Sequence, residues 1–265
     1  MKKIILLIII IAPLFAIAQK PDKKADKKAA RKQRVEELRK RAAEGEIVFD
    51  KQTAFAIKLN TDGYGASLEL GRMKSLKKAN LYYLEIGERK HPKEEKITNL
   101  SSALSTNPFI FGKINNFYYL KLGFGQQVMV GNKGNKNGVA VSAIYGGGIS
   151  AGLLKPYYLE VRDASTGRPK DVRYSDTTEH YYLDPGSIIG ASGFGKGWGD
   201  IKFVPGLYAK TAFRFDYGRF NELLSAIEIG LNAEFYTQTM PIMLLNKEKR
   251  FFFNAYFALT FGKRK

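Results

Sequence analysis

Between residues 47 and 261 the apolar and polar positions alternate with a period of two, in run after run. The last run, residues 250–265, shows it most clearly. Phe251, Phe253, Ala255, Phe257, Leu259 and Phe261 fall on one face, and Phe252, Asn254, Tyr256, Ala258 and Thr260 on the other. A period of two is the signature of a strand, whose successive side chains point to opposite sides. The same alternation predicts strands over 52–60, 65–73, 79–89, 116–129, 139–153, 206–217 and 222–237. In each, one face is apolar and often aromatic: Phe55, Ile57 and Leu59 in the first, Tyr82, Leu84 and Ile86 in the third, Ile227, Ile229, Leu231 and Phe235 in the seventh. The opposite face is mixed, small or charged.

Eight strands of this length suit a tilted passage through a bilayer. The connections alternate too. Those near Lys74, Gly131 and Gly218 are short, and the second is a Gly/Asn turn cluster, residues 131–138. Those beginning near Lys90, Arg162 and Thr239 are long. Only the first hairpin, at Thr61-Asp62-Gly63, is short on the long-loop side. Short turns at one end and long loops at the other are the pattern of a membrane β-barrel with its termini at the short-turn end. Residues 162–203 are expected as the longest interruption, with 156–161 prolonging the preceding strand.

The mixed faces carry Lys58, Glu69, Glu85, Lys121, Lys210, Arg214, Asp216, Glu228 and Glu234. An eight-stranded barrel has a bore only wide enough to be filled by side chains. Charges there must pair, because desolvating a lone one costs several kcal/mol. A salt-bridge network that plugs the lumen is the expectation, with a conducting or proton-relay role for the same residues as the alternative.

The N-terminus departs from this pattern. Lys2-Lys3, an apolar run over residues 4–15 and Ala16-Ile17-Ala18 read as a secretory signal peptide, residues 1–18, cut after Ala18. Residues 19–46 are rich in Lys, Arg, Ala and Glu, with Glu36/Lys40 and Glu37/Arg41 at helix-supporting spacing. Val35, Leu38 and Ala42 give only a thin apolar stripe. This arm is a marginal helix or a disordered tether, and Arg31, Arg34, Arg39, Lys40 and Arg41 are its candidate docking residues. The chain carries a net charge of +18, which points to phosphate groups of some kind. An export signal argues against nucleic acid. There is no cysteine, which excludes disulfides, thiolate metal sites and a cysteine nucleophile.

The final strand resembles the C-terminal strand of bacterial outer-membrane β-barrels. That resemblance implies that Phe257, Leu259 and Phe261 close the barrel and signal to the barrel-insertion machinery. Residues 47–261, within a barrel domain expected over 47–265, resemble the small eight-stranded outer-membrane barrels of the OmpA/OmpX type, and the signal peptide is similar to those of Bacteroidota outer-membrane proteins. The expected fold is thus all-β: an eight-stranded antiparallel transmembrane β-barrel behind a basic periplasmic arm, in a Gram-negative outer membrane with both termini periplasmic.

Candidate chemistry is sparse. The two histidines, His91 and His180, fall in the long loops. His180 with Ser187 or Asp184 can be drawn as a lipid-modifying site acting on lipid A, but a triad is defined by geometry that spacing does not supply. No metal or cofactor is expected. The glycine-rich run 192–199 lacks phosphate-loop spacing. Tyr157, Tyr158, Tyr181, Tyr182 and Trp198 are expected as an interfacial girdle or a partner contact. The leading expectation is a non-enzymatic barrel serving as a structural or accessory subunit of an outer-membrane assembly, with membrane lipid and periplasmic or outer-membrane proteins as partners. Alternatives are the lipid-modifying enzyme and a soluble secreted basic β-protein, which would leave a large apolar surface in water.

Overall fold

The computed structural model describes residues 33, 36, 49–75, 77–98, 107–134, 138–163, 165–218 and 222–265. The signal peptide, the docking-arm arginines and Lys40 lie outside them.

Eight long strands form one closed barrel. They are β1 (Lys51–Asn60), β2 (Gly63–Ser75), β3 (Lys78–Arg89), β6 (Asn115–Gly131), β7 (Ala140–Pro156), β11 (Lys202–Asp216), β12 (Leu223–Met240) and β13 (Lys249–Arg264). Each pairs antiparallel with its chain neighbours in this series, and β13 returns to β1 with Phe55 opposite Phe261. Closure leaves no open edge.

The register defines the stagger. Phe55 leads through Leu68, Leu84, Leu122, Ile149, Leu207 and Phe235 to Phe251. That is ten residues short of Phe261, the residue that Phe55 itself faces. Every member of this ring is apolar. Its members point outward: Phe55, Leu68, Leu122, Ile149, Leu207, Phe235 and Phe251 are all more than two-fifths exposed. Charged and polar side chains occupy the inward face. So many large apolar side chains cannot face water over a closed surface; the barrel is a transmembrane one.

Inside, glycines make room for rings. A Cβ on Gly123 would sit 2.1 Å from the Tyr208 hydroxyl. The register row Tyr83, Gly123, Gly148, Tyr208 sets two tyrosines on either side of two glycines.

The two longest connections, residues 90–114 and 157–201, lie at the end opposite the termini, as the pattern predicts; the hairpin at residues 61–62 is short there, and 241–248 is no longer than the 132–139 turn at the terminal end. The longest one is not the plain interruption expected. It folds into a three-stranded sheet of β8 (Leu159–Arg162), β9 (Pro169–Val172) and β10 (Ile188–Ala191), with a short helix α1 (Glu179–Leu183). Residues 159–161 therefore belong to β8 and do not prolong β7. A two-stranded ribbon, β4 (Lys96–Ile97) with β5 (Phe109–Ile110), joins them. Phe109, Leu159, Val161, Val172, Tyr182 and Ile188 form a second apolar core beyond the barrel mouth. The loops are stitched together: Leu244 N donates to Gly112 O at 2.7 Å, and Asn115 Nδ2 donates to Pro241 O at 2.8 Å.

Candidate functional site

All nine charged residues expected in the lumen lie inside the barrel and are buried. The strand register brings opposite signs together. Glu85 on β3 faces Lys121 on β6, and Arg214 on β11 faces Glu228 on β12.

Three linked groups run along the bore. In the middle, Glu85 accepts from Lys58 Nζ at 2.5 Å and from Lys121 Nζ at 3.1 Å. Lys121 also reaches Glu234 at 2.6 Å. Toward the long loops, Arg89 binds both Glu234 and Asp62. Toward the terminal end, Arg214 clamps Glu69 through two nitrogens, at 2.8 and 2.6 Å, and meets Glu228 at 2.6 Å. Lys210 lies 3.8 Å from Glu228. Beyond them Asp216 is held by Arg264 at 2.6 Å and Lys133 at 3.5 Å.

Tyrosines add to these groups, and Tyr256 joins two of them, with Lys58 Nζ 4.1 Å over its ring. Tyr236 donates to Glu234 at 2.8 Å and Tyr256 to Glu228 at 2.5 Å. Lys210 Nζ sits 3.6 Å from the Tyr83 ring centroid, a cation–π contact in a desolvated place.

Sequence reasoning missed several members: Gln52, Asp62, Arg89, Lys133 and Arg264. Arg89 and Arg264 stand at strand ends, where alternation fades, and Asp62 and Lys133 are in turns. Arg89 had a signal nonetheless, since it continues the inward alternation Tyr83, Glu85, Gly87.

Apolar clusters lie at both ends of the barrel. Phe117, Leu154, Val204, Tyr236, Met240 and Ile242 pack across the long-loop mouth. At the other end Phe49 packs with Ala79 and Ala140, and Arg264 stacks over its ring at 5.2 Å.

The loop residues singled out from sequence are not assembled into one site. Ser187 donates its hydroxyl to the Asp184 carbonyl at 2.9 Å, while the Asp184 carboxylate accepts from Gly186 N at 3.0 Å. His180 lies against Tyr181, centroids 4.0 Å apart. Among the described residues no hydrogen bond joins His180 to Ser187 or Asp184. His91 sits apart, in the first long loop, where burial holds its imidazole below the ordinary value.

The expected aromatic girdle is corrected. Tyr182 is fully buried in the cap core, its phenol pushed up by burial, and it donates to Tyr157 O at 2.7 Å. Tyr157 and Tyr181 pack against that same core. Trp198 stacks on Tyr118 at 5.8 Å. Tyr157, Tyr181 and Tyr182 serve the cap because the cap has its own core to fill, whereas Trp198 stays half exposed beside the barrel wall. Phe257, Leu259 and Phe261 point outward from β13, the strand that closes the barrel on β1.

No protein-family model matches the chain, and no curated protein sequence matches it. Among solved structures, Neisserial surface protein A is similar over 81% of this chain and 96% of its own, at 8% identity and a TM-score of 0.37. The N-terminal β-barrel domain of Pseudomonas aeruginosa OprF is similar over 81% and 98%, at 10% identity and a TM-score of 0.36. Ail, the attachment invasion locus protein of Yersinia pestis, is similar over 82% and 100%, at 9% identity and a TM-score of 0.35.

Proposed function

We propose that this protein is a non-enzymatic, non-conducting barrel of the bacterial outer membrane that displays a folded cap and serves as an accessory subunit of a larger envelope assembly. Even strand number, short turns beside the termini and the two longest connections at the far end support an outer-membrane setting with periplasmic termini. The basic arm would then meet periplasmic partners, and Phe257, Leu259 and Phe261 would be read by the insertion machinery.

The observation that carries the proposal is the bore. Paired charges run along it from Asp62 to Asp216, and apolar clusters lie at both ends. A conducting path needs water-lined space, and here the polar groups bind each other. A catalytic role is disfavoured by the separate local engagements of His180, Ser187 and Asp184.

The test is electrical and biochemical. Purified protein in planar bilayers should show no discrete conductance steps. Steps of reproducible size would refute the plug. A mild-detergent pull-down of the full chain should recover a stoichiometric envelope protein, and a variant lacking residues 20–44 should lose it. Recovery of no partner by either form would refute the subunit role.

A further inference from the structure

A cleft of about 370 Å³ opens on the outside of the barrel wall, at its long-loop end. Its floor is the outward face of four adjacent strands. Tyr64, Glu88, Tyr118 and Leu153 stand side by side in register from β2 to β7. The next outward row toward the membrane is Ala66, Ile86, Leu120 and Ala151, wholly apolar. The cleft therefore sits where the lipid-facing belt gives way to polar surface.

Its charge is uneven. Lys90, Lys96 and Lys155 line it and, among the described residues, none of the three forms an ion pair. Of the carboxylates nearby, Glu94 is paired with Lys113 at 2.7 Å, while Glu88, which accepts from the neutral Tyr64 hydroxyl, keeps its charge and acts on Lys155. Lys155 is the telling one. It projects outward from β7 yet is only 3% exposed, roofed by Phe194 and Trp198, whose ring centroids lie 4.2 and 4.6 Å from its ammonium. Its one hydrogen-bond acceptor is the Phe194 carbonyl, at 2.5 Å. A covered ammonium is costly unless anions complete it, and among the described residues Glu88 is the one carboxylate acting on Lys155.

We propose that this cleft binds the phosphorylated sugar headgroup of a glycolipid in the outer leaflet. Phosphate is the anion that clustered lysines recognise as point charges. The exposed ring of Tyr64, which lines the cleft, offers a flat surface to a sugar ring, as amphipathic aromatics do at a membrane boundary. The acyl chains of the same lipid run down over Ile86 and Leu120. The volume falls in the range of about 300–1,000 Å³ typical of small-molecule sites. The inference rests on the outer-membrane placement above, with the long loops outside.

The chain supplies its own reporter. Trp198 is its single tryptophan and lies against Lys155 and Tyr118. Full-length protein is folded into phosphatidylcholine vesicles that contain diphosphorylated lipid A, or lipid A stripped of its phosphates. The expected result is a saturable change in Trp198 emission with the phosphorylated lipid, weakened by salt and absent with the dephosphorylated one. Lys155→Gln should weaken the apparent affinity roughly tenfold, the size of one charge-assisted hydrogen bond. Exposed Lys96→Gln should weaken it roughly threefold. Should Lys155→Gln not fold, judged by loss of the heat-dependent gel shift, Lys90→Gln with Lys96→Gln carries the test. An unchanged emission, or equal responses to both lipids, overturns the site. So does equal binding of the soluble deacylated headgroup, which would make the ligand a free anion. Protease protection in the same vesicles reports insertion separately: inserted protein without a lipid response overturns only this inference, whereas protein left outside the bilayer overturns the membrane placement as well.

Discussion

Arg214 shows how a single side chain organises the barrel interior. Its guanidinium is buried and divided between Glu69 and Glu228, with Gln127 Oε1 at 3.4 Å. Two carboxylates from different strands converge on it, so each is tolerable in the bore only because the other charges are there. Arg214→Met should therefore cost about 3–5 kcal/mol, the usual penalty for stranding buried charges. The quadruple replacement Arg214→Met, Lys210→Met, Glu69→Leu, Glu228→Leu, which also takes out the Lys210 ammonium paired with Glu228, should recover most of that loss, because removing a whole buried network is far cheaper than breaking it. Urea unfolding followed by circular dichroism, in bilayers of fixed composition, measures both. If the quadruple variant is as unstable as the single one, the network contributes packing that apolar side chains do not replace. At this scale the sequence was informative because a period of two assigns Lys58, Glu85 or Arg214 to a face without knowledge of partners. It could not say that Arg214 would choose Glu69, 145 positions away in the chain. That choice follows from barrel closure and stagger, which are properties of all eight strands together.

Among the elements, the long barrel strands were legible and the cap was not. The strands advertise themselves by alternation over many residues. β8, β9 and β10 are four residues each, too short for alternation to rise above chance. Their buried side chains, Val161, Val172 and Ile188, acquire meaning only when three distant segments meet. The sheet is also pinned by a polar tie. Asp171 on β9 accepts from Lys196 Nζ at 2.8 Å and from the Ser192 hydroxyl at 2.6 Å, joining β9 to the segment after β10. Lys196 first, then Ser192, holds the Asp171 carboxyl below its ordinary value. A carboxylate so lowered stabilises the fold fully at neutral pH, and that stabilisation is lost as pH falls through its folded value. Hydrogen exchange, corrected for intrinsic rates, should therefore quicken in residues 169–172 and 192–196 below about pH 4 while the barrel strands stay protected. Asp171→Asn should exchange at neutral pH as the acid form does. Equal protection in the variant and the parent at pH 7 would remove the tie from the account of cap stability.

The whole molecule is two surfaces back to back, with charges inward and hydrocarbon outward. The outward belt can be measured on β6, where Tyr118 marks the edge at the cap. At the other edge Gln126 accepts from the Tyr145 hydroxyl at 2.8 Å. The eight residue steps from Tyr118 to Gln126 span about 26 Å along a strand. A tilt near 40° reduces this to about 20 Å across the membrane, close to the apolar band of about 25 Å found on membrane barrels. Leu122, half exposed, lies midway. A charge placed there meets the bilayer centre, whereas one placed at Tyr118 meets headgroups. Leu122→Arg should cost about 2–4 kcal/mol of folding free energy in phospholipid bilayers, and Tyr118→Arg about 0–1. The contrast matters more than either value, because both positions face outward from the same strand at different depths, and Tyr118→Arg gives up in addition the ring stack on Trp198. A soluble β-protein would show no such gradient, since an outward arginine in water costs little at either position. Denaturant titration of the two variants in vesicles distinguishes the cases. A flat response would move the belt from lipid to a protein partner, because only another apolar surface could then cover it.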